Sequence, residues 1–217
     1  MMPGVAAQPL GGRSVFSPTV LAQANYVDGV YEIAGSPAAA ADIIDKPARI
    51  GASGLEILDN DVDGVVSPIG DYLALWLTLD WTVKIVWEEL TTDGATYLLY
   101  LFEMLGGDQH SFLIERSTAF TGLRVDAHEA SNIIRDVPIN TSHGPGIHTI
   151  VVTRTNDRLS ISCDGSAVVT VTATPTMNAM ATTSFGGDLD QSYNGCFIRE
   201  QTLYAPLADI WLPSLSA

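Results

Sequence analysis

The fold of this chain is decided by Ile147-His-Thr-Ile-Val-Val-Thr-Arg-Thr-Asn-Asp-Arg-Leu-Ser-Ile-Ser-Cys-Asp-Gly165, followed by Val168-Val-Thr-Val-Thr172. Leu159, Ile161 and Cys163 alternate with serines, which is the two-residue period of a half-buried strand. The Asp-Gly pair between two such segments is a strong signal for a type I′ hairpin turn, because both central residues of that turn need positive φ. The stretch therefore predicts a meander of three antiparallel strands.

Further strands are predicted wherever β-branched and aromatic residues are bounded by turn formers. They cover residues 29–33, 55–58, 81–88, 96–104, 111–116, 122–127, 182–185 and the closing stretch up to 204. A short helix is expected over Ser36–Asp45, with Ser36 as the N-cap and Pro37 at the first helical position. Strands at this spacing, with no sustained helical period, predict an all-β fold of two packed antiparallel sheets.

The meander resembles the core of the laminin-G-like, concanavalin A-like β-sandwich family, whose members carry H-x-V-A-V-T-R, a turn, and then L-x-L-Y-V-D-G. The matching segments are His148-Thr-Ile-Val-Val-Thr-Arg154 and Leu159-Ser-Ile-Ser-Cys-Asp-Gly165. Leu55-Glu-Ile-Leu-Asp59 and Leu79–Trp87 are similar to the early strands of the family, and Tyr193–Tyr204 to the closing strand. The resemblance implies a jelly-roll sandwich that hosts lectins, hydrolases and assembly modules alike, so it implies no single activity.

The composition narrows the classes of partner. The chain has 217 residues, with 25 acidic and 10 basic residues and a net charge of −15. A field of this sign repels phosphate backbones and anionic lipids, so neither nucleic acid nor a membrane is expected as a partner. No stretch has the apolar length of a spanning helix, and the start lacks the features of a signal peptide. Only 16% of the residues are charged, which indicates either a surface rich in Ser and Thr or extensive contact with other subunits.

Residues 1–27 are predicted to form an extended arm in front of a single sandwich domain at 28–217. The arm contains one charge, Arg13, and its prolines and its Gly11-Gly12 pair break any regular element. Such a segment is expected to lie on a surface, either that of its own sandwich or that of a neighbouring subunit. We expect the arm to bind a neighbouring subunit, with Arg13, Phe16, Val20 and Leu21 as the contacting residues.

Several conspicuous side chains are expected to belong to the core. Trp81 and Trp87 lie at even separation on one predicted strand, so they share a face with apolar neighbours. Cys163 shares its strand face with Leu159, and without a secretory signal Cys163 and Cys196 are expected to be reduced thiols. Trp76 and Trp211 lie in less regular contexts, so they could be exposed aromatic platforms for a sugar.

The acidic loop Asp59-Asn-Asp-Val-Asp-Gly64 matches the first half of a calcium-binding loop. In that loop Asp59, Asp61 and Asp63 would converge on one cation. The second half does not match, because Gly70 stands where the bidentate acid belongs. The alternative is that the three carboxylates are splayed into solvent at a turn, so the chain is expected to hold either no cofactor or one structural calcium ion.

Catalysis is not expected. Glycan hydrolases of the concanavalin A-like type resemble one another in a strand that bears E-x-D-x-E, which places two carboxylates on one face. No such triplet occurs here, and Asp188-Leu-Asp190 has the right parity but no third acid. The four histidines are scattered, and no nucleophile elbow or phosphate-binding loop is present. His148 falls at a family position that is usually structural.

Two functions remain from different classes. The first is a structural module of a larger assembly, namely a bacteriophage virion component such as a capsid decoration, head-fibre or tail protein. Such a protein would be made in the host cytoplasm, would pair with other virion subunits or copies of itself, and could touch host glycans. The second is a carbohydrate-binding, lectin-like module, with or without calcium.

The calcium hypothesis makes a direct prediction. If Asp59, Asp61 and Asp63 hold a cation, chelation will lower the melting temperature, because the ion relieves repulsion among three close carboxylates. Thermal denaturation with calcium and with a chelator measures this effect. Equal melting temperatures in the two conditions would rule out a calcium ion that stabilises the fold.

Overall fold

A computed structural model of the chain shows two antiparallel sheets. The structure describes residues 16–57, 65–66, 80–90, 95–105, 108–117, 122–129, 132–139, 144–155, 158–172, 182–185 and 196–217. The strands are, in chain order, β1 (Val20–Asn25), β2 (Val30–Ile33), β3 (Ser36–Pro37), β4 (Ile50–Gly51), β5 (Gly54–Ile57), β6 (Val65–Val66), β7 (Trp81–Glu89), β8 (Ala95–Leu105), β9 (Asp108–Ser117), β10 (Gly122–Glu129), β11 (Asn132–Ile139), β12 (Gly146–Thr155), β13 (Arg158–Cys163), β14 (Val169–Thr172), β15 (Thr182–Phe185) and β16 (Cys196–Tyr204).

Sheet A has the strand order β14-β13-β12-β7-β16-β1-β2-β3, and β5 also pairs with β16 and carries β4 at its side. Sheet B has the order β11-β10-β9-β8-β15-β6. All of the pairings in the described residues are antiparallel. The predicted concanavalin A-like sandwich is confirmed, and each strand predicted from the sequence is present within a few residues of its expected limits.

The meander has the predicted register. β12 pairs with β13 and β13 with β14, so the three segments that resemble the family core lie side by side. Asp164 has φ 46° and Gly165 has φ 71°. Both residues of the turn therefore take the positive φ that a type I′ hairpin requires.

The core lies between the sheets. Trp81 and Trp87 are fully buried, as predicted, and Ile114 of β9 joins the same cluster from sheet B. Cys163 and Cys196 are both buried, so the expectation of a core position for Cys163 is confirmed. Within the described parts of the chain, no helix is both long enough and apolar enough to span a membrane.

The helical segments are short. They comprise α1 (Ala40–Ile43), a 3₁₀ turn at Pro47–Arg49, a second 3₁₀ turn at Asp209–Trp211, and α2 (Leu212–Ser216). The predicted helix start is wrong, because Ser36 and Pro37 form β3 and pair with β2. Ala34 and Gly35 take positive φ and turn the chain back on itself before the helix begins. The Asp42 carboxylate then accepts a hydrogen bond from the Ala39 N–H at 2.7 Å and caps α1.

The predicted boundary of the N-terminal arm needs correction. Residues 20–25, which the sequence places in the arm at 1–27, form β1 between β16 and β2. Ala22 and Ala24 are buried in the core, while Gln23 and Asn25 alternate with them on the strand's other face. Alanine is a weak strand former, which is why the alternation did not predict a strand. The sandwich therefore includes Val20 and Leu21, whereas Arg13 lies outside the described residues.

Gly54 gives a test of the packing between β5 and β16. Its φ is +121°, and a Cβ built on it would lie 2.5 Å from the Ile198 carbonyl oxygen. We expect Gly54→Ala to lower the free energy of unfolding by about 3 kcal/mol, because it adds backbone strain to a clash with a neighbouring strand. Gly51→Ala is the matched control, since no atom lies within 4 Å of its Cβ position. Denaturant titration that finds equal stability for both variants would contradict this register.

Candidate functional site

The outward face of sheet A is partly covered by the chain's own C-terminal segment. On β7, Val83, Ile85 and Trp87 are buried in the core, so Lys84 and Glu88 lie on the opposite, outer face of sheet A. Part of that face is closed by the chain itself. The C-terminal segment after β16 crosses β12 and β13, and α2 packs against both strands.

The covered part of sheet A is a buried layer of hydroxyl groups. The Thr82 and Thr153 hydroxyls lie 2.7 Å apart, and Thr82 also accepts a hydrogen bond from the Leu207 N–H at 3.0 Å. Ser216 in α2 contacts the Ser162 hydroxyl at 2.9 Å and accepts the Gly165 N–H at 3.1 Å. These polar groups are paired with the C-terminal segment, so this part of the face is not open to a ligand.

An aromatic contact ties the N-terminal segment to the same region. Phe16 stacks on Trp211, with ring centroids 4.2 Å apart and an angle of 14° between the ring planes. Trp211, considered above as a sugar platform, is therefore engaged by its own chain. The contact of Phe16, Val20 or Leu21 with a neighbouring subunit stays a prediction.

The uncovered part of sheet A's outer face carries two ion pairs. Lys84 Nζ lies 3.2 Å from Glu200 Oε1, and Arg199 Nη1 lies 2.7 Å from Glu88 Oε2. The Thr202 hydroxyl also donates to Glu200, at 2.9 Å. Burial, with a smaller contribution from the Glu200 carboxylate, raises the pKa of Tyr204, while a hydrogen bond with Thr202 acts in the opposite direction. These charges compensate one another across strands β7 and β16, which indicates a structural role.

His148 and Arg154, at the two ends of the family-like segment on β12, also have structural surroundings. His148 Nδ1 lies 2.9 Å from Asp164 Oδ2, and Nε2 lies 2.8 Å from the Gly144 carbonyl oxygen. Its ring packs on Trp87 with centroids 5.3 Å apart. Arg154 is buried, and desolvation lowers the pKa of its guanidinium, while the Asp80 carboxylate acts in the opposite direction. The structural role implied for His148 by the resemblance therefore fits its contacts.

Sheet B also has a face opposite the core. Ile114 of β9 is buried in the core, so Leu113 and Glu115 fall on the opposite face, which we call the outer face of sheet B. The register extends this face to the neighbouring strands, because residues paired across strands share a face. Its positions are Tyr97, Tyr100 and Phe102 on β8; Ser111, Leu113 and Glu115 on β9; Arg124, Asp126 and His128 on β10; Asp136 and Pro138 on β11; and Thr182 and Ser184 on β15.

The outer face of sheet B combines aromatic positions with hydrogen-bonding positions. Tyr97 and Arg124 are both paired with Glu115, in the strands on either side of it. The next row pairs Tyr100 with Leu113, and Asp126 lies opposite Leu113 on one side and opposite Asp136 on the other. Arrays of aromatic, carboxylate and guanidinium groups on one surface can stack on a ring and bind its hydroxyls. The sequence alone did not point to this face, since only strand pairing brings these positions together.

The predicted metal ligands and one predicted sugar platform lie outside the described residues. They are Asp59, Asp61, Asp63 and Trp76. Among the residues that the structure does describe, no group of three or more His, Cys, Asp or Glu side chains is placed to hold a metal ion. The calcium site remains a prediction.

Comparisons with known proteins support the fold. No family model and no curated protein matches the sequence. The chain is similar to the CBM40 module of the Ruminococcus gnavus IT-sialidase bound to α2,3-sialyllactose, with a TM-score of 0.60, 16% identity, and coverage of 76% of this chain and 96% of that one. It is also similar to a Trypanosoma rangeli sialidase, with a TM-score of 0.63, 15% identity, and coverage of 98% and 35%.

A third similar structure is the leech intramolecular trans-sialidase, with a TM-score of 0.52, 12% identity, and coverage of 74% of this chain and 27% of that one. The chain thus spans nearly all of the CBM40 module but about a third or less of the two larger enzymes. At these identities the likeness establishes a shared concanavalin A-like sandwich.

The closure of sheet A's outer face by the C-terminal segment can be tested at Ser216. We expect Ser216→Ala to lower the free energy of unfolding by about 1–2 kcal/mol, because it removes the buried partner of the Gly165 N–H and the Ser162 hydroxyl. Ser214→Ala is the matched control, since Ser214 is exposed and bonds only its own helical turn. Equal stability of the two variants in denaturant titration would show that the C-terminal segment does not seal this face.

Proposed function

We propose that this chain is a non-catalytic glycan-binding module and that the outer face of sheet B is its sugar-binding surface. The observation that carries the proposal is the register of sheet B, which aligns Tyr97, Tyr100 and Phe102 of one strand beside Glu115, Arg124 and Asp126 of the next two. The opposite sheet is occupied by its own C-terminal segment and by compensated ion pairs. The likeness to a CBM40 module bound to sialyllactose agrees with this assignment.

The chemistry of these positions suits a pyranose ring. An aromatic ring can stack on the apolar face of a sugar while keeping its polar edge in water. Carboxylates accept hydrogen bonds from neighbouring hydroxyls, and the serine and threonine positions on β9 and β15 add hydroxyl partners. A strand face with these positions would bind a short oligosaccharide by stacking and hydrogen bonds together.

The charge of this face favours a neutral sugar over a sialylated one. Arg124 lies opposite Glu115 in the register, and Asp126 lies opposite Asp136. Three carboxylates therefore accompany one arginine, on a chain whose net charge is −15. An anionic sugar would meet repulsion at short and long range, whereas a neutral pyranose would meet none.

Binding to a glycan array printed with matched sialylated and neutral oligosaccharides tests the proposal. We expect retention of neutral glycans, with lactose binding at least as tightly as α2,3-sialyllactose in calorimetry. Preference for sialyllactose would correct the charge argument while leaving the glycan-binding assignment in place. Failure to bind any glycan on the array would overturn that assignment.

Tyr100 provides the site-specific test. We expect Tyr100→Ala to weaken glycan binding about tenfold, because a stacked aromatic contributes on the order of 1.4 kcal/mol. Phe197→Ala is the matched control, since Phe197 is a half-buried aromatic residue of sheet A, paired with Glu88 on its outer face. Equal loss of binding in both variants would place the site elsewhere.

The absence of catalysis is part of the proposal. The E-x-D-x-E triplet of concanavalin A-like hydrolases is absent from the sequence, and the chain spans only 35% of the Trypanosoma rangeli sialidase. A fluorogenic sialoside and a fluorogenic galactoside should both remain uncleaved by the purified chain. Turnover of either substrate above a heat-treated control would contradict a binding-only role.

A module of a larger assembly is the second candidate, and one observation favours it: an uncharged strand lies at the edge of sheet A. The virion, which the sequence first suggested, gains no support from the structures named above, since none of them is a virion protein. Assembly and glycan binding use different surfaces of the sandwich, so the two functions are compatible.

A further inference from the structure

β14 is an edge strand of sheet A. It consists of Val169–Thr172 and pairs along one side with β13. Within the described residues its other side has no strand partner, so alternate backbone N–H and C=O groups face outward from the sheet. Open edges of this kind are templates for pairing with another chain.

Two other edges of the sandwich, at β3 and β11, carry the usual protection against such pairing. β3 ends sheet A at its far side with Pro37, which has no backbone N–H to donate. β11 ends sheet B with Arg135, Asp136 and Pro138. β14 contains neither proline nor charge, and the sequence from Gly165 to Gly187 has no charged residue at all. Of the edges at β3, β11 and β14, the edge at β14 is therefore the one without a proline or a charged residue to block strand pairing.

The core is also open at this edge. Val169 pairs with Ile161, and Val171 pairs with Leu159. Ile161 and Leu159 are fully buried, yet Val169 on the same face is 39% exposed. The bond from Thr170 Oγ1 to Asp209, at 3.4 Å, brings the 3₁₀ turn beside the strand, and Ile210 in that turn is 77% exposed. A further strand at this edge would cover apolar surface that the chain leaves in water.

We infer that β14 pairs with β14 of a second copy of this chain, antiparallel about a twofold axis at Thr170. In this register Thr170 lies opposite its own copy, and Val169 lies opposite Val171 in both directions. The core face of the joint then carries valine pairs and the outer face a threonine pair, both of which are favourable across strands. The interface is isologous, so it closes as a dimer and does not propagate.

The sequence Val169-Thr170-Val171 favours a second copy as the occupant, because the same strand supplies both members of each cross-strand pair. Two copies with a net charge of −15 each repel at most orientations. β14 itself carries no charge, and the Asp209 carboxylate beside Thr170 lies 3.3 Å from Arg158 Nη2, which compensates its charge. Because the remaining repulsion is long-range, added salt should strengthen the dimer until the charges are screened.

Cysteine cross-linking tests the register. Cross-strand neighbours have Cβ atoms about 4.5–5.5 Å apart, close to what a disulfide requires. Thr170→Cys should give a disulfide-linked dimer on mild oxidation. Val30→Cys should not, because Val30 is an exposed residue of β2, near the other end of sheet A. The native thiols of Cys163 and Cys196 are buried and do not compete. Equal cross-linking of both variants, or of neither, would overturn the proposed pairing.

A second measurement does not depend on the cysteine. Sedimentation velocity of the full chain should show a monomer–dimer equilibrium that shifts toward dimer between low and moderate salt. Val169→Lys, which adds a charge to the open edge, should give monomer at every concentration that dimerises the wild type, while Val30→Lys should behave as the wild type. A wild-type chain that stays monomeric at high concentration and moderate salt would refute the dimer.

Discussion

The alternation of side chains along β7 is the constraint on which the rest of the structure depends. The strand lies between β12 and β16, so its register fixes theirs. Trp81 and Trp87 are both buried in the core, while Lys84 and Glu88 face outward and pair with β16. A slip of one residue would place two charges in the core and two tryptophans in water. The penalty for that exchange makes the register of sheet A unique.

The same strand determines which surface is left for a partner. Because Thr82 and Thr153 meet on its outer side, that side offers hydrogen bonds to the C-terminal segment, which covers it through Leu207 and Ser216. The remaining part of the face is occupied by charges that neutralise one another. We therefore propose the outer face of sheet B, whose register aligns aromatic and polar positions, as the surface for a partner.

How much the sequence could predict follows from the range of the forces involved. The meander from Gly146 to Thr172 is local, with strong alternation and an Asp-Gly turn, and its register and turn were predictable. β1 and β11 were not, because alanines in β1 and Pro138 in β11 weaken the local signal; long-range pairing with β16 and β10 makes them strands. The helix start at Ser36 failed for a similar reason, since an Ala-Gly turn with positive φ draws that residue into a hairpin.

The candidate site shows the same limit more sharply. Tyr100, Leu113, Asp126 and Asp136 are far apart in the sequence, and only the pairing of four consecutive strands places them in one row. The carboxylates of the acidic loop, by contrast, lie only two residues apart in the sequence, so the sequence alone suggests a metal site there. Spacing along the chain thus points to local metal loops, whereas a sheet face becomes visible only once the register is known.

Hydrogen exchange of backbone amides, with and without a bound oligosaccharide, locates the glycan-binding surface. A glycan site on sheet B predicts that a saturating glycan slows exchange in β8, β9 and β10 and leaves exchange in β12, β13 and α2 unchanged. Protection confined to the strands of sheet A, or to the C-terminal segment, would contradict it.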